Sequence, residues 1–100
     1  MTTAAKNAQK LLKLFGPKGE HWCTHHNAVD AKGNPVAVSS RKAFRWCMIG
    51  GSYKHKVHDL SWLYDALEKR NLKTNISAFN DRRKFPSVKK FLLNVVEKGS

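Results

Sequence analysis

The chain is predicted to be mainly α, a compact single domain of about four helices with one or two short extended segments. Three observations predict this. Apolar residues recur at i, i+3, i+4 and i+7 in several separate stretches, the spacing that lines them along one helix face. Helix punctuation falls at the margins of those stretches, as at Gly16-Pro17 and Pro86. Period-2 alternation is confined to one short run, Thr74 to Phe79. One hundred residues, 41% hydrophobic and including three Trp and five Phe, are enough for one core, so residues 1–100 read as a single small basic helical domain.

Residues 3–15 form the first expected helix. Ala8, Leu11, Leu12 and Phe15 fit its apolar face, while Lys6, Lys10 and Lys13 take the other. Thr2 or Thr3 can cap its start, and Gly16-Pro17 stops it. The apolar face is short and has one aromatic, which favours docking on a core over lying in a membrane surface. No apolar run approaches the length needed to span a bilayer. Residues 1–16 also lack the apolar centre and cleavage site of a secretory signal. The expectation is a soluble cytoplasmic protein with no membrane partner.

Residues 18–38 are read as irregular. Lys32-Gly33-Asn34-Pro35 marks a tight turn or small hairpin, and His21-Trp22-Cys23 a short extended piece anchored by Trp22. The stretch from Ser39 to Tyr53 is expected to be the central helix, capped by Ser39 or Ser40. Its residues Ala43, Phe44, Cys47, Met48 and Gly51 repeat at helical spacing, and Trp46 and Ile49 widen the apolar sector. Gly50-Gly51 either ends that helix or lets another backbone approach closely.

A third helix is expected from Asp59, its N-cap, with Leu60, Leu63, Tyr64 and Leu67 inward, an Asp65–Lys69 pair outward and Asn71 at its end. Thr74 to Phe79 reads as a short strand, followed by a turn at Asn80-Asp81. Pro86 opens a last helix that buries Val88, Phe91, Leu92 and Val95, leaving Gly99 and Ser100 as a frayed end.

Two cysteines are too few for a disulfide scaffold, so Cys23 and Cys47 are expected as thiols. His21, Cys23, His25 and His26, with Cys47 downstream, are competent zinc ligands, and alternation in an extended segment would put the first three on one face. Their spacing is unlike the usual zinc arrangements, and solvent-facing or nucleic-acid-contacting histidines are the preferred reading. No metal or other cofactor is expected. Neither a signature around either cysteine, nor paired carboxylates, a phosphate loop or a nucleophile elbow marks an enzyme.

Charge is the strongest compositional signal: 19 Lys and Arg against seven Asp and Glu, a formal +12. Such a field favours polyanions. From Lys32 to His58 six cations stand with no acid, and from Lys69 to Lys90 eight stand against Asp81 alone. The expected binding residues are Arg41, Lys42, Arg45, Lys54, Lys56, Arg82, Arg83 and Lys84, the last three flexible enough to fork onto phosphates. Solubility is the bland alternative for the same charge. Helix-turn-helix, RNA-binding-sheet and zinc-finger signatures are missing, so base-specific readout has no support.

Four motifs recur in a known combination: Trp22-Cys23; Ala28, Asp30, Gly33 and Pro35; Ala43, Trp46, Cys47 and Gly50; and Ile76, Phe79, Asn80 and Asp81. Together, from about Trp22 to Val95, they resemble a family of small uncharacterised bacterial and phage proteins, in which the late motif usually carries Trp where this chain has Phe79. The resemblance implies a compact helical domain and brings no activity with it. Asp30, Asn80 and Asp81 then read as turn and cap residues, with an interaction site as the other option. The functional expectation is a non-enzymatic binding protein that engages nucleic acid or a nucleoprotein complex through its basic surface. The alternative is a phage or mobile-element accessory protein that binds an acidic host protein and inhibits or redirects it.

Overall fold

A computed structural model describes residues 1–100 as a single mainly α domain of five helices and one two-stranded sheet. The helices are α1 (Thr3–Phe15), α2 (Met48–Lys54), α3 (Ser61–Lys69), α4 (Ile76–Asp81) and α5 (Phe85–Lys98). The strands β1 (Ala28–Val29) and β2 (Arg45–Trp46) run antiparallel, with Ala28 opposite Trp46 and Val29 opposite Arg45. None of the helices is long and apolar enough to cross a membrane.

The two longest helices follow their local signals. Thr2 Oγ1 accepts from Ala5 N–H at 3.1 Å to cap α1, and Gly16, at φ 82°, turns the chain out of it. Ala8, Leu11 and Phe15 of α1 pack against Val88, Leu92 and Val95 of α5, the most extensive helix pair in the molecule. Phe15 meets Phe85 edge-on, with centroids 6.2 Å apart at 89°. The C-terminus is tied down rather than frayed. Gly99 O accepts from the Thr2 hydroxyl, and Ser100 O accepts from Arg70 Nη2 at 2.9 Å. In α3 the buried stripe is Trp62, Leu63, Ala66 and Leu67, while Tyr64, expected inward, is 52% exposed. Asp59 acts as expected but from one residue further out. Leu60 is the N-cap and makes no side-chain bond, and Asp59 Oδ1 accepts from Ser61 N–H at 3.0 Å.

The expected central helix from Ser39 is only half present. Residues 39–44 are turns, Arg45 and Trp46 form β2, and α2 begins at Met48. Sheet pairing wins because Phe44 N–H bonds Val29 O at 2.8 Å and Trp46 N–H bonds His21 O at 2.9 Å. The β-favouring Phe-Arg-Trp run suits that geometry. Cys47 then caps α2, its Sγ accepting from Gly50 N–H at 3.3 Å. The Gly50-Gly51 pair serves close approach rather than termination. A Cβ at Gly50 would run into the Asn27 carbonyl, and one at Gly51 would lie 2.7 Å from Leu11 of α1.

The expected strand at Thr74–Phe79 is instead α4. Asn75 Oδ1 accepts from Ala78 N–H at 2.7 Å, a helix N-cap, and Ile76, Phe79 and Asn80 share the buried face. Both periods fit so short a run, and the Asn75 cap goes with the helical one. The 28–35 turn forms as expected: Asp30 accepts from Lys32 N–H at 2.9 Å and Asn34 N–H at 2.8 Å.

Gly50→Ala is expected to destabilise by about 1–3 kcal/mol or more, because a backbone carbonyl cannot move aside. Gly33→Ala meets nothing within 4 Å and is expected to cost only the strain of its φ of 88°, about 1 kcal/mol. Urea denaturation of both variants checks the order. Equal losses would remove the close-approach role of Gly50.

Candidate functional site

Asn80 is 1% exposed and its amide is fully satisfied. Its Oδ1 accepts from Trp22 Nε1 at 2.9 Å and from Met48 N–H at 3.1 Å. Its Nδ2 donates to Cys23 O and Asp81 Oδ1, both at 3.0 Å. Asp81 Oδ1 also accepts from His25 N–H at 2.9 Å, and His25 Nδ1 stands 3.5 Å from Oδ2. One side chain of α4 therefore holds the 22–25 loop and the start of α2 together. Beside it lies a cavity of about 90 Å³, lined in part by His25, Asn27, Cys47 and Asp81.

The two thiols beside it are governed by burial. Burial pushes the Cys23 thiol up to about 12, helped by the nearness of Cys47. Burial also raises Cys47, against the N–H bond from Gly50. A nucleophilic cysteine needs the opposite shift. No group of three His, Cys, Asp or Glu side chains is placed to hold a metal ion. The alternation that would align His21, Cys23 and His25 is broken, because residues 24–27 bend and His25 is left-handed at φ 69°. His21 turns away altogether, its Nδ1 2.7 Å from Phe44 O.

The expected binding residues fall into separate settings. Arg41 and Lys42 lie on the exposed turn after Ser40, which bonds Lys42 N–H. Arg45 and Lys54 share an aromatic strip: the Arg45 guanidinium is 4.9 Å from the Phe44 ring, and Lys54 Nζ is 4.9 Å from Trp46. Lys56 is left-handed just beyond α2. Arg82 and Lys84 occupy the C-cap of α4 and the N-cap of α5. Arg83, between them, lies 4.6 Å over Phe79 and alone of the eight lines the largest groove of the molecule.

That groove, about 920 Å³, runs along α5 and gathers cations from remote parts of the chain. Lys18, Arg70, Arg83, Lys89 and Lys90 line it, against Glu97 alone among acids. Arg70 is locked in place: Nε bonds Asn94 Oδ1 at 3.0 Å, Nη1 bonds Ala66 O at 2.8 Å, and its guanidinium lies 5.4 Å over Phe91. Lys89 Nζ donates to Pro17 O at 2.8 Å. Sequence reasoning counted Arg70, Lys89 and Lys90 in a basic run but did not single them out, and it passed over Lys18. Helical spacing on α5 could have paired Lys90 with the exposed Leu93, whereas nothing local marks Lys18.

No Lys or Arg side-chain nitrogen lies within 4.0 Å of an Asp or Glu carboxylate. The expected Asp65–Lys69 pair does not form. The acids are instead spent on N–H groups: Glu20 accepts from Lys18, Asp30 from Asn34, Asp59 from Ser61 and Asp81 from His25. These backbone bonds hold the Asp30 and Asp59 carboxyls below their usual range.

Comparison with family models, curated proteins and solved structures finds no match to this chain. What the fold and site define is a class: a small helical protein with an interlocked polar hub and a basic groove.

Asn80→Ala would strand the Trp22 and Met48 donors and the Cys23 carbonyl, and is expected to cost about 2–5 kcal/mol in urea denaturation. A loss below about 0.5 kcal/mol would mean the hub is not needed. With its thiol at about 12 rather than the ordinary 9.0, native Cys23 holds roughly a thousandth of the thiolate of a free cysteine at pH 8. Iodoacetamide labelling followed by mass spectrometry should therefore be at least a hundredfold slower in the folded chain than in urea. Similar rates would show that the thiol is ionised and accessible.

Proposed function

We propose that this chain is a non-enzymatic binding protein that engages nucleic acid, free or within a nucleoprotein complex, through its basic surface. The observation that carries the reading is the uncompensated charge. All nineteen Lys and Arg lack an Asp or Glu carboxylate within 4.0 Å, so no such side chain competes for them with an external polyanion. A surface built for solubility alone would intersperse both signs and form ion pairs where they meet. The motif resemblance to small bacterial and phage proteins is compatible with this role and supplies no other.

Fluorescence anisotropy with a labelled oligonucleotide checks the proposal. If about five phosphates are neutralised, log affinity against log salt should have a slope of about −3.5 for a single strand. That is roughly a hundredfold weakening between about 50 and 200 mM salt. No binding at the lower salt would refute the reading and transfer the charge to an acidic protein partner, which a pull-down from nuclease-treated lysate would then have to recover.

A further inference from the structure

We infer that the groove along α5 is a seat for a single strand of nucleic acid, about five nucleotides long; the inference rests on the binding role proposed above. Its length comes from α5 itself. Pro86 and Glu97, both lining the groove, are separated by eleven helical steps of about 1.5 Å, or about 17 Å. At about 3.4 Å per stacked nucleotide, that span holds roughly five. Five cations line the groove, enough charge to offset about five phosphates, and the lone acid, Glu97, stands at its far end.

The floor favours bases over a bare phosphate backbone. Phe79, Phe85 and Phe91 lie beneath it, with the Arg83 guanidinium carbon 4.6 Å from the Phe79 centroid and that of Arg70 5.4 Å from the Phe91 centroid. A guanidinium held over a ring can offer its outer side as a surface on which a base stacks. Arg70 is pre-positioned by its bonds to Asn94, Ala66 and Ser100, so little further order is lost when a ligand arrives. Leu93, 49% exposed, extends the apolar floor toward solvent. A duplex would present phosphate and sugar to this floor and leave the guanidinium surfaces without a base to stack on them. An acidic amphipathic helix would need open holes for its apolar side chains. Here the phenyl rings are 3–8% exposed and close the floor.

The test compares two variants with equal charge loss. Arg83→Ala/Lys90→Ala removes groove cations; Lys10→Ala/Lys32→Ala removes two exposed cations that do not line the groove. Anisotropy titrations use a fluorescein-labelled ten-nucleotide oligo-dT and a ten-base-pair duplex at low salt. The groove variant should bind oligo-dT at least tenfold more weakly, the control variant within about twofold of the parent, and the parent should prefer the strand to the duplex. Lys90 is exposed, so Lys90→Ala alone should weaken binding severalfold with no change in melting temperature. Equal losses in the two double variants would overturn the groove while leaving nucleic-acid binding intact. A preference for duplex, or displacement of the strand by polyglutamate at equal charge concentration, would likewise overturn it. No binding of either nucleic acid by the parent would remove both the groove and the proposed function.

Discussion

The arrangement depends on one buried amide. Asn80 brings two donors and an acceptor into a nearly dry interior, and every one of its bonds reaches a different backbone or side-chain group. Unsatisfied, such a group would cost more than its bonds return, so the loop at Trp22-Cys23 and the first turn of α2 must both be in place before α4 can dock. That requirement couples segments almost sixty residues apart, and it acts at the point where the β1–β2 pair hands the chain to α2. The helices pack through ordinary apolar faces; the amide decides how the irregular third of the chain sits on them.

The second organising constraint is the division of labour between charges. The carboxylates are few, and those that make hydrogen bonds do so at turns and helix starts, where orphan N–H groups need acceptors. Using them there leaves the lysines and arginines without anionic neighbours. Their long side chains instead lie on aromatic rings, as with Arg45 on Phe44, Lys54 on Trp46, Arg70 on Phe91 and Arg83 on Phe79. The stems and ring faces cover apolar surface while the charged heads keep access to solvent. This explains how so cationic a chain packs a core without ion pairs.

The four motifs that stood out in the sequence turn out to be neighbours. Trp22 and Cys23 bond Asn80, Trp46 pairs with Ala28 across the small sheet, and Cys47 caps the helix whose Gly50 abuts Asn27. Asp30 serves its turn as expected, whereas Asn80 and Asp81, expected as turn or cap residues, lie within α4 and bond the distant 22–25 loop instead. The cationic groove adjoins this hub through the short helix α4, which carries both Phe79 and Asn80, and through Trp22, whose ring lies 5.7 Å from that of Phe85. A framework of polar bonds thus holds the helix against whose ring Arg83 lies.

The sequence alone determined the two long helices, both ends of α1, the Pro86 start of α5 and most of their buried faces, because those depend on spacing and punctuation within a dozen residues. It also determined the excess of positive charge, which needs only counting. The tertiary structure decided what lay between. Residues 39–47 satisfy helical spacing, yet became turns and a strand because Val29 and His21 offered backbone partners from far away. Thr74–Phe79 satisfies strand spacing, yet its end became a helix that Asn75 caps and whose buried face carries Ile76, Phe79 and Asn80. The cations that converge on the groove come from the loop after α1, the end of α3, the α4–α5 turn and α5. Their meeting is a property of how the helices cross, which no local pattern encodes.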